Sequence, residues 1–305
     1  MSDELRGGRP DGRTTVAVIT RDRPGSALHT LDRLARLPER PPVLVVDNGS
    51  DPRTTALLRR HPVGAHVLRP RRNTGALGRN LAVRQAVTPY VAFSDDDSWW
   101  EPGALRRAAD LLQDHPRLGL LAARTLVGDD AGEDPLNAVL AASPLPRAAD
   151  LPGVPVLGFL GCAAVVRRSA FLDAGGYHPV LFFGAEETLL AYDLTALGWG
   201  VVHDPSVVAR HRPDGAVRPG RTALVRRNEL LTEWLRRPLP VAFASTRRLV
   251  ADALGGDAAA RGALGGALLR LPRALRHRRP LPPVVEEAVR SVRRVPPSPR
   301  PVEQT

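Results

Sequence analysis

Three consecutive carboxylates, Asp95-Asp96-Asp97, follow the apolar run Tyr90–Phe93 after a single serine. Adjacent carboxylates repel one another, so a chain that places three of them where a buried strand emerges needs a cation to neutralise them. This pattern favours a metal site. The alternative is a solvated acidic turn that caps a helix beginning near Glu101-Pro102, because Asp and Ser commonly start helices.

A second acidic pair, Glu186-Glu187, could supply a general base, the group that removes the proton from a hydroxyl as it attacks. A neighbouring like charge and partial burial can raise the pKa of a carboxylate toward a useful range. The preceding Phe182-Phe183-Gly184 predicts such a partly buried position. The alternative is that both acids merely lie on the first turn of a helix over Glu186–Leu197, where the helix dipole favours them.

Short apolar runs alternate with helical patterns over the first two hundred residues. The predicted strands are Val16–Ile19, Val43–Val46, Ala65–Leu68, Tyr90–Phe93 and, later, Val207–Ala209. The predicted helices are Ala27–Leu37, Arg53–Arg60, Leu77–Val87 and Gly103–Gln113. Continuous Val-rich runs indicate strands covered on both faces, and the regular succession predicts an α/β fold with an open, mostly parallel central sheet flanked by helices. Ligands bind to such sheets outside the carboxyl ends of the strands.

Polar residues follow each of these strand ends. Thr20-Arg21-Asp22-Arg23 follows the first strand and Asp47-Asn48-Gly49-Ser50 the second, while the segment Arg72–Asn80 opens a helix with glycines and arginines. Helix N-termini and arginine forks suit an anionic or nucleotide ligand. Alone, Asp47-Asn48-Gly49 could be only a turn and Asn73 only a helix cap. We expect a shared site because all the segments converge on one sheet edge.

Composition limits the other function classes. The 305-residue chain has one cysteine, Cys162, which excludes an intramolecular disulfide and predicts a reducing, cytoplasmic setting. The net charge of +11 is uneven: residues 210–305 hold 20 arginines against 8 acids, whereas residues 1–209 hold 23 against 24. There is no lysine, which is typical of codon bias. Many arginines therefore need no functional explanation, and we expect no specific nucleic-acid partner.

The ordered motifs resemble those of family 2 glycosyltransferases with the GT-A fold, over about residues 14–235. The matching segments are Val16–Arg23, Val45–Ser50, Asn73-Thr74-Gly75 with Arg79-Asn80, Phe93–Asp97, Gly175–His178 and Phe183–Glu187. The resemblance implies a Rossmann-like GT-A catalytic domain. It also implies a donor of the UDP-, GDP- or dTDP-sugar type and an acceptor hydroxyl that the sequence does not identify.

The resemblance assigns two sets of ligand-binding residues. Asp97 is the main protein ligand of a Mg²⁺ or Mn²⁺ ion in a DXD motif, with Asp95 and His211 as further ligands. A surface histidine before a loop is the alternative for His211. The nucleotide-sugar contacts are Thr20, Arg21, Arg23, Asp47, Asn73, Gly75, Arg79, Asn80, Asp95 and Asp96. A hard divalent cation on oxygen ligands would stabilise the diphosphate leaving group.

The family usually carries Glu-Asp where this chain has Glu186-Glu187. The resemblance assigns the base to Glu187 but leaves Glu186 open, because its side chain is long enough to serve. One base opposite a bound leaving group implies a single in-line displacement with inversion at the sugar carbon.

Four segments follow from these patterns: a disordered N-terminus at 1–13, the GT-A catalytic domain at 14–220, a helical appendage at 221–280, and a Pro/Arg-rich, largely disordered tail at 281–305. The appendage is predicted to contain helices over Leu224–Leu235 and Leu249–Leu271. They either pack on the catalytic domain or make a peripheral contact with the anionic inner face of a membrane. Acceptor specificity is predicted within Thr125–Pro155. Arg212–Gly220 could form a lid over the diphosphate, with Arg212 or Arg218 as a phosphate partner, or it could be an ordinary exposed connection.

Two other functions compete with glycosyl transfer. A nucleotidyltransferase also needs a nucleotide pocket and metal-binding carboxylates, but it should carry a Gly-rich phosphate loop near its first strand, and Thr20–Pro24 has no glycine. A catalytically inactive relative would bind membranes or nucleic acid through its basic C-terminal third. That function predicts salt-sensitive binding and leaves the acid clusters unexplained.

Overall fold

The protein is described by a computed structural model that covers residues 10–128, 130–215 and 219–294. The predicted disordered N-terminus falls mostly outside these residues, as do Asp129, the middle of the predicted lid at 216–218, and residues 295–305. Its strands are β1 Thr14–Thr20, β2 Val43–Asp47, β3 His66–Leu68, β4 Tyr90–Asp95, β5 Ser98–Trp100, β6 Leu118–Val127, β7 Gly132–Glu133, β8 Val154–Pro155, β9 Ala164–Arg167 and β10 Gly200–His211.

Helices alternate with strands as expected from β1 to β4, the alternation is less regular from β4 to β10, and helices alone follow β10 to the end of the described chain. They are α1 Pro24–Ala35, α2 Pro52–Arg60, α3 Leu77–Gln85, α4 Ala104–Asp114, α5 Pro135–Ala141, α6 Arg168–Asp173, α7 Glu186–Ala196, α8 Arg221–Arg236, α9 Leu239–Leu254, α10 Ala258–Leu268, α11 Leu271–Arg276 and α12 Pro283–Arg294. The mixed α/β fold with a helical C-terminal part is thus confirmed.

One sheet organises residues 14–211, which we call the catalytic part. Its main strand order is β3-β2-β1-β4-β9-β6-β10-β5. The four strands β3, β2, β1 and β4 are mutually parallel, and so are β6 and β10. Strand β9 runs antiparallel between β4 and β6 and joins the two parallel groups. The parallel arrangement brings the carboxyl ends of β1, β2 and β4 to one edge.

Both faces of the sheet are buried, as the continuous Val-rich runs predict. In β1, Val16 and Val18 pack into one core with α1, α2 and α4, whereas Ala17 and Ile19 pack into a second core with α3, α6 and α7. Alternate residues of a strand point to opposite faces, so every apolar residue of this run is used. The single cysteine, Cys162, is free and buried, as expected for a packing residue.

Helices α8 to α11 pack on the catalytic part through a third apolar core. This core joins Leu181 and Leu189 to Leu231, Leu235 and Ala263 of the C-terminal helices. Packing is therefore confirmed as a role of their apolar faces. Among the described residues, no helix is long and apolar enough to cross a membrane.

Two C-terminal predictions differ from the structure. The helix expected over Leu249–Leu271 is instead divided into α9 and α10, because the chain turns at Gly255-Gly256 and Asp257 caps α10 by accepting a hydrogen bond from the Ala260 amide at 3.0 Å. Residues 283–294, expected within a disordered tail, form α12. Val285 and Val289 of that helix are buried against Tyr192, so apolar packing outweighs the Pro- and Arg-rich composition.

Candidate active site

The predicted strand-end residues meet at one edge of the sheet. Thr20 of β1 is paired in register with Asp47 of β2, and Ile19 is paired with Asp95 of β4. Three residues singled out from separate strands therefore share one edge because the strands are parallel and end together. Thr20 and Asp47 are buried, and Asp95 is half-buried.

Asp96 is held by hydrogen bonds from three residues of β1, α1 and the turn between them. Its carboxylate accepts hydrogen bonds from Thr20 Oγ1 at 2.8 Å and from Arg23 Nη1, and its carbonyl oxygen accepts one from Thr30 Oγ1 at 2.9 Å. Burial raises the pKa of Asp96 to about 7, against the opposing effects of Thr20 and Arg23. These bonds fix the turn after β4 and thereby orient the carboxylates on either side.

Asp97 lies between a histidine and an arginine. Its Oδ1 is 3.5 Å from His211 Nε2, and its Oδ2 accepts a hydrogen bond from Arg23 Nη1 at 2.9 Å. Burial opposes ionisation, but His211 and Arg23 outweigh it and lower the pKa of Asp97. Conversely, Asp97 raises the pKa of His211 despite the burial of that ring. His211 ends β10, so a strand far away in sequence contributes to the acidic cluster.

Asp97 and His211 fit a divalent cation as a pair. Ligands at about 2.1 Å from an octahedral ion lie about 3 Å apart, so two donor atoms 3.5 Å apart need little movement to share one. Asp95 is directed elsewhere, since its Oδ1 pairs with Arg79. Across residues 10–128, 130–215 and 219–294, no group of three His, Cys, Asp or Glu side chains is arranged to hold a metal. A cation here would take most of its ligands from the substrate and water.

The second strand end forms a tight polar turn. Asp47 accepts hydrogen bonds from the Ser50 amide at 2.8 Å and from Thr55 Oγ1, which lower its pKa despite its burial. Asn48 Oδ1 accepts from Thr74 Oγ1 at 2.7 Å. The two segments flanking the expected nucleoside site are therefore joined directly to each other.

Asn73 and Gly75 shape the entrance to α3. Asn73 Oδ1 accepts a hydrogen bond from the Gly75 amide at 2.9 Å. Gly75 has φ of +58°, and a Cβ at this position would lie 2.4 Å from the Phe182 carbonyl oxygen. Only glycine fits this approach, and it brings the start of α3 against the segment that leads to Glu186-Glu187.

Arg79 is a buried cation between the two acidic clusters. Its side chain is 2% exposed, Nη2 pairs with Asp95 Oδ1, and the guanidinium lies over the rings of Phe93 at 5.8 Å and Tyr177 at 5.7 Å. Burial disfavours its charge, but Asp95, with smaller effects from Glu186 and Glu187, raises the pKa of Arg79. Its Nε and Nη1 have no hydrogen-bond partner within the described residues.

Glu186-Glu187 begin α7 beside this arginine. Glu186 is 2% exposed, and burial together with the charge of Glu187 raises its pKa to about 8. Burial also raises the pKa of Glu187, although Arg79 opposes that effect. A methyl group on Gly161 would lie 2.6 Å from Glu187 Oε1 and 3.4 Å from Arg79 Nη2, so Gly161 makes room for both side chains.

Two predicted contacts are placed differently from the rest. Asn80 exchanges hydrogen bonds with the Tyr177 backbone, donating to its carbonyl at 2.8 Å and accepting from its amide at 2.9 Å. These bonds fix the segment before Glu186 rather than leave the amide free for a ligand. The Arg21 side chain is 54% exposed at the rim of the site, and its Nε lies 3.3 Å from Asp22 Oδ2.

The predicted lid contacts the acidic cluster at its described ends. The Arg212 amide donates to the Asp97 carbonyl oxygen at 2.8 Å, and Asp214 Oδ2 lies 3.1 Å from Arg23 Nη2. Arg218 lies outside the described residues.

Sequence reasoning missed the contributions of Gly161, Thr55 and Tyr177. Gly161 lies in the apolar run Leu157–Val166, which by itself indicates only packing, and the contacts of all three residues depend on tertiary structure. The Gly-Gly pair at 175–176 was the one local signal, because both residues have positive φ and Gly176 approaches Asn80 closely.

This fold, with polar residues at the carboxyl ends of β1 and β2, acids at the end of β4 and an acidic pair at the start of α7, is the GT-A glycosyltransferase fold. The sequence model described as Glycosyl transferase family 2 matches residues 15–175. The chain therefore belongs to glycosyl transferase family 2, which confirms the resemblance. No curated protein sequence matches the chain.

Solved structures agree at the level of the fold. The mannosyltransferase PcManGT from Pyrobaculum calidifontis, in complex with GDP-Man and Mn²⁺, is 21% identical, with a TM-score of 0.59 over 93% of this chain and 88% of that chain. S. aureus TarS 1-349 in complex with UDP-GlcNAc is 16% identical, with a TM-score of 0.55 over 91% of each chain.

A third structure, GalNAc-T7 with UDP, GalNAc and Mn²⁺, is 12% identical with a TM-score of 0.57. The match covers 74% of this chain but only 48% of that one, so the present chain spans about half of GalNAc-T7. At these identities the similarity concerns the fold alone.

Proposed function

We propose that this chain is a metal-dependent inverting glycosyltransferase that moves a sugar from a nucleotide-diphosphate donor to an acceptor hydroxyl. One observation carries the proposal: the buried Glu186 and the half-buried Glu187 lie beside Arg79, which is itself paired with Asp95 at the end of β4. A general base and the donor-side acids therefore adjoin the same buried arginine. A reaction that deprotonates one partner and stabilises charge on the other needs this proximity.

Glu187 is the stronger candidate for the base. Burial, together with the charge of Glu187, raises the pKa of Glu186 to about 8, so Glu186 holds a proton at neutral pH. Burial also raises the pKa of Glu187, but the adjacent Arg79 guanidinium opposes that effect and favours the ionised carboxylate. Only an ionised carboxylate can accept the acceptor's proton. Glu187 then removes that proton as the hydroxyl oxygen bonds to the sugar carbon from the face opposite the departing diphosphate, which inverts the configuration.

The donor would bind on the Asp95 side of Arg79, opposite the glutamate pair. We assign Thr20, Asp47 and the Asn73–Gly75 turn to the nucleotide side, and Asp97 with His211 to a Mg²⁺ or Mn²⁺ ion. When bound, the cation would stabilise the charge of the diphosphate leaving group as a Lewis acid. Relatives in fold solved with GDP-Man, UDP-GlcNAc or Mn²⁺ support a nucleotide-sugar donor and a divalent metal.

Thermal unfolding tests the donor assignment. The protein is titrated with UDP, GDP, CDP and dTDP in the presence of Mn²⁺, Mg²⁺ or EDTA, because a ligand of the folded state raises the free energy of unfolding by about 2.7 kcal/mol at 100 times Kd. We expect one nucleotide to raise Tm only with metal. Absence of any shift would overturn the donor assignment.

Two variants localise the metal. Asp97→Asn should abolish the metal-dependent shift and His211→Gln should weaken it, whereas Asp150→Asn, at an exposed pair with Arg117, should change nothing. A full shift in Asp97→Asn would overturn the metal assignment. Release of a nucleoside diphosphate rather than pyrophosphate separates glycosyl transfer from nucleotidyl transfer.

Peripheral membrane contact and a cytoplasmic location stay predictions. Phe243, Leu254 and Leu269 are exposed on α9 and beside α10, in the Arg-rich part of the chain. If this surface contacts membranes, sedimentation with phosphatidylserine vesicles should exceed that with phosphatidylcholine vesicles and should decrease with salt. Equal sedimentation would exclude an electrostatic contact.

A further inference from the structure

A cavity of about 830 Å³ lies between the catalytic part and the C-terminal helices. One wall is α5 and the turn after it, a second is the segment 156–159, and the others come from α7, α8, α9 and α12. Its volume is within the range of about 300–1000 Å³ that is usual for small-molecule sites. The cavity therefore accommodates a ligand larger than one sugar ring.

The cavity adjoins the glutamate pair. Ala185 and Thr188, which flank Glu186-Glu187 in sequence, both line it. Gly158 and Phe159 line it as well, and Gly161, two residues further on, approaches Glu187 Oε1. The cavity thus begins next to the glutamate pair and continues along the C-terminal helices, and no described residue of the Asp97 cluster lines it.

The lining is mainly apolar, and most of its charge is compensated. Leu140, Leu157, Phe159, Leu230 and Leu249 contribute side chains to the walls. Among the lining charges, Arg226 pairs with Asp252 and Arg293 pairs with Glu233, while Arg248 is exposed. The hydroxyls of Ser143, Thr188, Thr232 and Ser245 also line the cavity and offer a few hydrogen bonds. An unsubstituted sugar would still leave most of its hydroxyls against apolar walls, which is unfavourable.

We propose that this cavity binds the apolar part of the acceptor, so that the acceptor is a hydroxyl compound with an apolar body rather than a free sugar. The inference rests on the proposed function, because it uses Glu187 as the base. The apolar body lies against α5, α8 and α9, and its hydroxyl reaches the glutamate pair. The C-terminal helices, which lie beyond the family match at 15–175, thereby set acceptor class.

Gly158 provides a direct way to block the cavity. A Cβ at Gly158 meets no atom within 4 Å, so Gly158→Phe adds a ring to the cavity without a backbone clash. Gly265→Phe is the matched control, because Gly265 on α10 is equally open but does not line the cavity. Ala142→Trp blocks it from another wall, which protects the test against a folding defect in one variant.

The probe is 8-anilinonaphthalene-1-sulfonate, titrated by fluorescence against the full chain, with octyl β-glucoside and glucose as competitors. We expect one saturable site that octyl β-glucoside displaces and glucose does not. Gly158→Phe and Ala142→Trp should weaken probe binding at least about tenfold, whereas Gly265→Phe should not change it. Unchanged binding in both blocking variants, or equal competition by glucose, would overturn the proposal.

Nucleotide thermal shifts on the same variants separate this inference from the function on which it rests. If nucleotide and Mn²⁺ raise Tm in every variant but octyl β-glucoside does not displace the probe, the acceptor inference fails and the transferase proposal stands. If the probe binds in the cavity but no nucleotide raises Tm, the transferase proposal fails. The acceptor assignment then fails too, because it rests on that proposal.

Discussion

The two acidic clusters of the active site differ in how their charges are balanced. At the end of β4, Asp96 accepts hydrogen bonds from Thr20 and Arg23. Asp97 accepts one from Arg23 and lies near His211. At the start of α7, Glu186 Oε2 has no hydrogen-bond partner among the described residues, and neither do Nε and Nη1 of the adjacent Arg79. The first cluster is paired before any ligand arrives, whereas the second is left incomplete.

The difference indicates that the two clusters have different chemical roles. Asp97, paired with Arg23 and His211, is held in place and keeps a lowered pKa, as a ligand for a cation requires, whereas burial raises the pKa of the neighbouring Asp96. An incompletely bonded, buried carboxylate has a raised pKa and can exchange a proton near neutral pH. Unsatisfied buried polar atoms are costly to folding, so their presence here favours function over stability.

The largest expected effect separates the two glutamates. Glu187→Gln should lower the transfer rate by about 10²–10⁴-fold, because it removes the base, while nucleotide binding persists. Glu186→Gln is the isosteric control and should retain transfer within about tenfold at pH 7, since it imitates the protonated acid. Measured kcat with nucleotide thermal shifts checks both. Normal turnover by Glu187→Gln would move the base to Glu186.

The next effect concerns the space around Glu187. Gly161→Ala should lower kcat by about 10–100-fold, because the new methyl group displaces Oε1 from its position beside Arg79. Tm should change little, since the displaced atom ends a flexible side chain. Gly265→Ala on α10, which meets open space and lies outside the cavity, is the matched control and should retain full activity. Equal rates in the two variants would contradict the role of Gly161.

A third prediction uses the raised pKa of Glu186. The folded protein keeps this group protonated up to about pH 8, whereas at its ordinary value of 4.5 the unfolded chain releases the proton, so rising pH between these values favours unfolding. Glu186→Gln should therefore be more stable than wild type at pH 8, by on the order of 4 kcal/mol, and nearly equal below pH 4.5. Denaturant unfolding at both pH values checks this. A pH-independent difference would contradict the raised pKa.

The smallest effect tests the paired cluster. Arg23→Gln leaves Asp96 and Asp97 without their internal cation and should lower the free energy of unfolding by about 1 kcal/mol, since the guanidinium is partly exposed. Mn²⁺ alone should then raise Tm more than in wild type, because it replaces the lost charge. Arg21→Gln, at the rim, is the control. A smaller Mn²⁺-induced rise in Tm in Arg23→Gln than in wild type would contradict the idea that Mn²⁺ replaces the Arg23 guanidinium beside Asp96 and Asp97.

The sequence predicts the catalytic part well because its signals are local. Apolar runs at β1, β2 and β4, each followed by polar residues, locate both the strands and their shared edge. Parallel pairing then brings Thr20, Asp47 and Asp95 together without further information. The start of α7 at Glu186 follows from the same periodicity.

The remaining contacts depend on which elements meet. No local pattern reveals that Gly161 faces Glu187, or that Asn80 bonds to the Tyr177 backbone rather than to a ligand. Similarly, α12 is stabilised by burial of Val285 and Val289 on α7, which outweighs the unfavourable composition around it. Long-range packing, not propensity, decides these positions.

The order in which the chain is synthesised gives the pairing of Arg293 with Glu233 a consequence for biogenesis. Arg293 and Val292 line the cavity, yet they are made after all its other lining residues. Domains commonly begin to fold from the N-terminal side during translation. The sheet edge at β1, β2 and β4 can therefore form during synthesis before the part of the cavity wall that Val292 and Arg293 complete.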